Sequence, residues 1–318
     1  DYGSRLTAPV YIRGVGSRIN APSVGLYIDQ TASFEKSGFD FDFLDIERVE
    51  VLRGPQGTLY GRNTMGGLIH IITREPGMIR RTRFSADFGN YSQQKIQFSH
   101  HQPLLKDRLS LAVGASFNHR NGFHTNEFND KPIDEMKSGG TRIKLKWNTG
   151  PRSFIQWSLE GNRSREGGYP YGKVDEPEST ESGITLNYDH ESTYFRDMVN
   201  SNLWFEKKGE YLTLTSVTGF QWFDDSQDID QDFTPGDLLY VTQDQVQNLL
   251  TQELRLSGGE DRRLSWVSGV YAFLQDIDRA VDVIYGEDGI VMFRLPGPTS
   301  KLKTYDMSNR GLAVFGQA

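Results

Sequence analysis

The sequence predicts a mainly β protein, a transmembrane antiparallel β-barrel with a small α+β domain inside it. Three observations lead to this fold class. Residues after 77 alternate apolar and polar side chains in about ten segments of membrane-crossing length. The connections between these segments alternate between tight turns and long polar loops. The residues before 77 are glycine-rich and irregular, which indicates a separate compact domain.

The composition is compatible with such a barrel and excludes other classes. Only 36% of the 318 residues are hydrophobic, and no run approaches the roughly 18 apolar residues of a membrane helix. Barrel strands escape that criterion because their apolar and polar residues average out. The absence of cysteine excludes disulfides and thiolate metal sites. The net charge of −7 argues against a nucleic-acid partner.

The stretch Asp45–Pro76 predicts the centre of the first domain. It contains a strand over Ile46–Leu52, a Gly-Pro turn with a short helical turn, and a second strand over Leu68–Thr73. Glycines stand where the backbone must turn or approach another segment closely, at Gly54, Gly57, Gly61, Gly66 and Gly67. This density of close approaches favours a domain that fits inside a larger structure.

Alternation with period 2 predicts the strands that follow. Leu109, Leu111 and Val113 share one face of a strand, and Ser110 and Gly114 share the other. A soluble β-sandwich or β-propeller has the same period, so alternation alone leaves those folds open. The predicted strands lie near 80–89, 93–102, 107–119, 140–149, 152–164, 196–206, 211–223, 246–257, 263–277 and 308–318.

The connections favour the membrane barrel. Tight turns are predicted at Gln102–Lys106, Thr149–Pro151, Lys207–Glu210 and Ser257–Arg262, and long loops near 120–139, 165–195, 224–245 and 278–307. Because every second connection is long, one end of the sheet carries the long loops, as in outer-membrane barrels. Candidates for aromatic girdles are Trp147, Trp157, Trp204, Phe205, Trp222, Phe223, Trp266 and Phe273.

The strand number bears on the size of the barrel. About ten strands close only a narrow barrel that holds its own side chains or a small ligand. Such a barrel cannot enclose residues 1–76 as a separate domain. We therefore expect these strands to be part of a larger barrel.

Residues 1–76 contain five short motifs, which are Tyr11–Gly14, Val24–Asp29, Ile46–Pro55, Gly57–Gly61 and Gly66–Thr73. In their order and spacing, these motifs resemble the latter part of the plug domain of TonB-dependent outer-membrane receptors. Thr251–Leu256 resembles a recurrent barrel-strand motif of the same family. Gln30 and His70 depart from the usual glycine and asparagine without breaking the pattern.

The resemblance implies two domains and a transport function. Residues 1–76 are expected to form an N-terminally incomplete plug, without the TonB-contacting box, and 77–318 the first part of a barrel of about 22 strands. The implied function is import of a scarce bulky ligand, most commonly a ferric siderophore, across the bacterial outer membrane. Cobalamin, thiamin, glycans and plant compounds are alternative cargoes. A non-transporting β-rich surface binding protein or adhesin is the alternative from another class.

The implied partners are TonB with its inner-membrane energising complex, outer-membrane lipid and lipopolysaccharide, and a small-molecule metal chelate. No covalently bound cofactor, resident metal site or nucleic-acid partner is expected. Enzyme motifs such as G-x-S-x-G and H-E-x-x-H do not occur, so we do not expect an enzyme.

The resemblance also implies a latch between plug and barrel. Arg13 and Arg53 each precede a glycine in a plug motif, and the family pairs such arginines with glutamates on the inner barrel wall. Glu253 is the matching candidate, because its neighbours Leu254 and Leu256 are expected to face lipid. The other plug-motif residues are Gly14, Asp29, Glu47, Glu50, Gly54, Pro55, Gly57, Gly61, Gly66 and Gly67. For Glu47 and Glu50, the polar face of a strand is the favoured interpretation.

Loop residues supply the candidates for ligand contact. His119 and His124 flank a predicted extracellular loop, and Tyr169 and Tyr171 lie in the next. Chance polar loop residues remain the alternative for each. The acidic stretch 224–237 has enough carboxylates to bind calcium, namely Asp224, Asp225, Asp228, Asp230 and Asp232. It lacks EF-hand spacing, so a solvated acidic loop is the favoured interpretation.

Overall fold

The computed structural model describes residues 10–17, 22–34, 45–55, 57, 63–172, 185–259 and 264–318. Within these ranges the chain forms one sheet of ten strands, one of four strands and two hairpins of two strands. No helix among the described residues is long and apolar enough to cross a membrane. The predicted mainly β architecture is therefore confirmed.

The four-stranded sheet forms the plug. Its order is β4-β3-β6-β5, with β3 parallel to β6 and the other pairs antiparallel. The plug elements are β1 (Tyr11–Ile12), β2 (Val15–Gly16), β3 (Val24–Ile28), β4 (Thr31–Ser33), β5 (Ile46–Arg53) and β6 (Gly67–Thr73). The two strands predicted within Asp45–Pro76 are thus confirmed. Most of the predicted helical turn between them lies outside the described residues.

The ten-stranded sheet is antiparallel, and its strands follow one another in the sheet in the same order as in the chain. Its strands are β7 (Arg81–Gly89), β8 (Gln93–Leu105), β9 (Leu109–Arg120), β12 (Met136–Gly150), β13 (Ser153–Gly167), β14 (Thr193–Lys208), β15 (Leu212–Asp230), β16 (Leu239–Gly258), β17 (Trp266–Tyr285) and β18 (Thr299–Gln317). A hairpin of β10 (Thr125–Asn126) and β11 (Lys131–Pro132), and the short helix α1 (Glu287–Met292), lie in the long loops.

The strands extend further into the loop end than the sequence predicted. The predicted loop 224–245 shortens to 231–238, and 278–307 shortens to 286–298. The reason is that the added residues do not alternate apolar and polar side chains with period 2, although their backbones remain paired. The predicted alternation of short and long connections holds from β8 onwards, because turns 106–108, 151–152 and 209–211 alternate with the longer loops.

Three of the predicted girdle aromatics face the interior instead. Phe223 belongs to a core cluster with Leu26 of the plug, and the Phe273 ring packs edge-on against Phe34 at 5.5 Å. Trp204 lines a cavity between plug and wall. Successive residues of a strand point to opposite faces, so adjacent pairs such as Trp222-Phe223 cannot both face lipid.

The hydrophobic core is shared between plug and barrel wall. One cluster joins Leu26 and Ile71 of the plug to Met198 and Phe223 of the wall. The second joins plug and wall residues in the same way: Tyr27, Ala32, Phe34, Leu68 and Leu249. Neither unit buries these side chains alone, so the plug and the wall stabilise each other.

The linker 74–80 fixes the orientation of the plug. It leads from the end of β6 at Thr73 to the start of β7, at the end of the barrel that carries the short turns. Because β5 runs antiparallel to β6, Arg53 lies opposite Gly67 at the other end of the plug. The Thr73 end of the plug therefore faces the short turns, and the Arg53 end faces the long loops.

Candidate functional site: the plug and its seat in the barrel wall

Asp29 is the centre of the contact between plug and wall. It occupies the turn between β3 and β4 with a positive φ of 54°. Its Oδ1 accepts hydrogen bonds from the backbone N–H of Thr73 at 2.9 Å and from the Thr73 hydroxyl at 3.1 Å. Lys144 Nζ on β12 lies 2.8 Å from its Oδ2 and also donates to Thr73. One carboxylate therefore joins two plug strands to the wall.

The charges around Asp29 hold it ionised. Burial raises the pKa of the Asp29 carboxyl, but the charges of Lys144 and Arg142 outweigh that effect together with the hydrogen bonds from Lys144 and Thr73, so the pKa lies below its ordinary value. The Lys144 side chain is only 2% exposed. Arg142 has its own ion-pair partner, because its guanidinium lies 2.9 Å from the carboxylate of Glu160 on the neighbouring strand.

Further polar contacts surround this centre on the side of the short turns. Glu75 pairs with Lys146, and Asp45 pairs with His101. The Arg255 guanidinium donates to Gln30 at 2.8 Å. In the Asp29–Lys144 and Glu75–Lys146 pairs, the plug side supplies the carboxylate and the wall supplies the cation. This polarity is the reverse of the predicted latch, in which plug arginines met a wall glutamate.

The predicted pair between Arg53 and Glu253 is not formed. Glu253 faces the interior, as the exposure of its neighbour Leu254 requires, but its carboxylate lies 3.0 Å from Arg255 on the same strand. It lines a cavity with Glu47 and Glu50, whereas Arg53 lies at the opposite end of the plug. The antiparallel pairing of β5 and β6 is the physical reason for this separation.

Arg13 and Arg53 share a different location, the plug end that faces the long loops. Arg13 and Gly14 form the turn between β1 and β2, both with positive φ, and both arginines are exposed. This apex is fixed by close packing, because a Cβ on Gly67 would lie 2.5 Å from the carbonyl oxygen of Leu52. Gly54 has a φ of +89°, which favours glycine.

The remaining plug-motif residues are Gly66, which has a packing role, and Pro55, Gly57 and Gly61. Gly66 packs against β2, because a Cβ there would lie 2.9 Å from the Val15 carbonyl oxygen. Pro55 and Gly57 lie beyond the apex, and Gly61 is outside the described residues.

The polar residues of β5 pair among themselves. Arg48 donates to Glu50 at 2.7 Å and lies 3.6 Å from Glu47. The hydrogen bond from Arg48 lowers the pKa of the Glu50 carboxyl. These three residues line a cavity of about 510 Å³ between plug and wall, so the interpretation as a polar strand face agrees with the structure.

The four predicted ligand residues do not converge on the lumen. His119 lies on β9 with the same parity as the outward Leu111. His124 lies 3.2 Å from Asp134 within its own loop. Tyr169 is buried and donates its hydroxyl to Gln227 at 3.0 Å, and the Tyr171 ring packs against Phe233. Loop packing accounts for both tyrosines, so a ligand role for these residues stays a prediction.

The acidic stretch is a strand, not a loop, up to Asp230. Asp224 and Asp228 share one face of β15 about 13 Å apart, and Asp225 lies on the other face, so the three cannot converge on one ion. Asp230 Oδ1 instead accepts backbone hydrogen bonds from Asp232 and Phe233. Among the described residues, no group of three or more His, Cys, Asp or Glu side chains is placed to hold a metal.

Sequence reasoning missed the cations that hold the plug. Lys144 and Lys146 were visible as polar positions alternating with Ile143 and Leu145. Two lysines on the interior face of one strand are a signal for carboxylates inside the barrel. Asp29 lies in a plug motif that gives no sign of its partner, and nothing in the sequence distinguishes Asp45 from other acidic residues.

A wall of antiparallel strands wrapped around a small mixed sheet defines a plugged, partial β-barrel. Residues 1–68 match the family model described as TonB-dependent Receptor Plug Domain. This part of the chain is therefore similar to the plug domain of TonB-dependent receptors, and strands of a partial barrel follow it.

Curated relatives match part of the chain over a small share of their own length. The pesticin receptor of Yersinia enterocolitica is 31% identical over 113 residues, which cover 35% of this chain and 17% of that receptor. The metal-pseudopaline receptor CntO of Pseudomonas aeruginosa is 35% identical over 77 residues, covering 23% of this chain and 11% of the receptor.

Solved structures show the same fold over nearly the whole chain. The ferric yersiniabactin uptake receptor FyuA of Yersinia pestis superposes with a TM-score of 0.78 at 18% identity, covering 99% of this chain and 56% of FyuA. The siderophore receptor PiuA of Acinetobacter baumannii gives 0.71 at 15% identity, covering 98% of this chain and 51% of PiuA. The ferripyoverdine receptor of the outer membrane of Pseudomonas aeruginosa gives 0.66 at 13% identity, covering 96% and 43%. The fold is thus that of outer-membrane receptors.

Proposed function

We propose that the chain is part of a receptor that imports a ferric siderophore or another metal chelate across the outer membrane with energy from TonB. The observation that carries the proposal is the asymmetry of the plug. Its short-turn end is bound to the wall through Asp29 and Lys144, and its loop end exposes Arg13 and Arg53. The relatives named as yersiniabactin, pyoverdine and metal-pseudopaline receptors support this cargo class.

The apical arginines suit an anionic chelate. Arg53 and the Arg13–Gly14 turn lie where a ligand entering from the long loops first meets the plug. Guanidinium groups bind carboxylate and phenolate oxygens through charge-assisted hydrogen bonds. In this proposal the two arginines bind cargo, and cargo binding replaces the latch role that the sequence predicted for them.

The plug contacts suit a release mechanism. The pairs at Asp29, Asp45 and Glu75 lie near the linker 74–80, at the end expected to face the periplasm and TonB. A buried ion pair holds a geometry while its desolvation cost offsets much of its attraction. Traction from TonB at this end would break these contacts first.

The implied surroundings are also part of the proposal. TonB with its inner-membrane energising complex supplies the energy, and lipid and lipopolysaccharide surround the outward face. The receptor acts as a transporter with no enzymatic activity. We place the boundary between plug and barrel within 74–80, since residues 1–76 and 77–318 meet in that linker.

Binding and uptake by the complete receptor test the proposal. Ferric yersiniabactin, ferripyoverdine and cobalamin are offered to the purified receptor, and uptake of radioactive iron is measured in cells with and without TonB. We expect TonB-dependent uptake of a ferric chelate and at least tenfold weaker binding by Arg13→Gln/Arg53→Gln. Binding of cobalamin alone, or uptake of nothing in the panel, would contradict the cargo.

Arg48→Gln is the matched control for the apical variant. It removes one positive charge from the opposite end of the plug, where Arg48 pairs with Glu50, whereas the apical variant removes two. We expect this control to bind the chelate as the unmodified receptor does. Equal losses in the control and in the apical variant would show that plug charge, not the apex, governs binding.

A further inference from the structure

A cavity of about 310 Å³ lies at the loop end of the wall, away from the plug. Its floor is formed by strands β9, β12, β13 and β14, and its cover by the β10–β11 hairpin and residues 188–193. The residues that the argument uses are His119, Lys131, Lys137, Arg165, Glu191 and Phe195.

The floor belongs to the outward face of the wall. Lys137 has the same strand parity as Ile143 and Trp147, which are 39% and 51% exposed. Arg165 alternates with the buried, inward Ser164 and Glu166. Since successive residues point to opposite faces, both cations project away from the lumen.

The height of the floor matches the edge of a bilayer. Trp147 marks the short-turn end of the apolar stretch of β12, and Lys137 lies ten residues further along. At about 3.4 Å per residue and a tilt of about 40°, that separation rises roughly 25 Å, the height of the apolar band of outer-membrane barrels. Lys137 and Arg165 therefore lie at the headgroup level of the leaflet next to the long loops.

Like charges face one another across this floor. Lys137 lies directly opposite Arg165 on one side and His119 on the other. Like charges directly opposite in a sheet are destabilising. No ion pair to the Lys137 or Arg165 side chain is present among the described residues, and His119 Nδ1 is buried without a hydrogen-bond partner there. The row of His119, Lys137 and Arg165 across the floor therefore has no anionic partner among the described residues.

The acidic side chains of the cavity do not supply that anion. Glu191 pairs with Lys131 at 3.3 Å, and Glu166 accepts from Ser164 at 2.8 Å on the inward side. Glu135 also lines the cavity, so a single carboxylate stands beside the two cations Lys137 and Arg165. By contrast, Arg163 also faces outward, two residues from Arg165 on β13, and it is paired with Asp197 at 2.6 Å.

We propose that this cavity binds a phosphate group of an outer-leaflet lipid, with Lys137 and Arg165 as the phosphate ligands. The Phe195 ring, directly opposite Arg165, packs against the adjoining acyl region. The inference rests on the proposed function only in that the wall spans the outer membrane. Two cationic side chains at the headgroup level, Lys137 and Arg165, select a phosphate over a neutral glycan headgroup.

Lipid binding to the complete receptor in detergent tests the inference. Native mass spectrometry is used to measure binding of bis-phosphorylated lipid A, dephosphorylated lipid A and inorganic phosphate. We expect retained bis-phosphorylated lipid A and at least tenfold weaker binding by Lys137→Gln/Arg165→Gln. Arg152→Gln/Lys207→Gln is the matched control, because it removes two exposed cations at the short-turn end. The control should bind lipid as the unmodified receptor does.

Several outcomes overturn the inference. Equal binding by the floor variant, equal binding of dephosphorylated lipid A, or saturation by inorganic phosphate without lipid would each do so. If the double variant fails to fold by heat-modifiable migration, Arg165→Lys is compared with Arg165→Gln, and only the former should retain lipid. Iron uptake is measured in parallel, so a receptor that binds lipid phosphate without importing iron contradicts the proposed function alone.

Discussion

The carboxylate of Asp29 in the plug lies 2.8 Å from the ammonium group of Lys144 in the barrel wall. Both side chains are largely removed from water, and Thr73 bonds to each of them. This relationship joins the two parts of the chain at one point and suggests where the plug is held until it is pulled.

Replacing Lys144 by methionine should loosen the plug. The change leaves the buried Asp29 carboxylate without its partner, and removing one partner of a buried pair costs about 3–5 kcal/mol. We expect a lower urea midpoint for the complete receptor and increased sensitivity of cells to large antibiotics. Asp29→Leu/Lys144→Met removes both charges and should recover much of the loss.

The control for this prediction is Arg163→Gln, which breaks an outward pair with Asp197. The Arg163 side chain is 67% exposed, and exposed pairs contribute about 0–1 kcal/mol. A loss in the control as large as that of Lys144→Met would contradict the special role of the buried pair.

A side chain at Gly219 should prevent the plug from seating. A Cβ there would overlap the Thr31 methyl group of the plug and lie 2.6 Å from Thr251 Oγ1. We expect Gly219→Val to increase hydrogen exchange in the β3–β4 turn. Gly316→Val is the control, since its Cβ would lie 3.4 Å from the nearest atom, the Val267 carbonyl oxygen. Unchanged exchange in Gly219→Val would refute the close approach.

The Asp29 pair should weaken in acid. Since the pKa of Asp29 is lower in the folded state than the ordinary value of 3.8, its stabilisation is present above pH 3.8 and is lost as pH falls through the folded pKa. Urea midpoints of the complete receptor measured from pH 7 to pH 3 check this dependence. Asp29→Asn should have lower stability at neutral pH and a smaller acid-induced loss. A parallel pH profile for the two proteins would contradict the assignment.

The loop around His190 should loosen in base. His190 donates to Asp228 at 2.8 Å and stacks on Tyr240 at 3.9 Å. The hydrogen bond to Asp228 raises the pKa of His190 above 6.5, so its stabilisation is present below pH 6.5 and is lost as pH rises through the folded pKa. Hydrogen exchange of residues 185–192, corrected for intrinsic rates, should increase across this range. His190→Gln should not show this increase.

The sequence alone was enough to predict the ten strands and the plug, and local physics explains why. Apolar alternation at Leu109–Val113 and the glycines near Gly67 report on the chain's own neighbourhood. The sequence pattern does not reveal the loop ends of β15 and β16, because their side chains do not alternate with period 2, although their backbones pair up to Asp230 and from Leu239.

The partners across the interior were decided only by tertiary structure. Arg53 and Glu253 were matched by charge, but the antiparallel pairing of β5 and β6 places them at different ends of the plug. Asp29 and Lys144 are far apart in sequence and meet because the wall wraps the plug at that height. Period 2 determined which residues of a strand share a face. Which inward charges meet depends on register and docking, which no local pattern encodes.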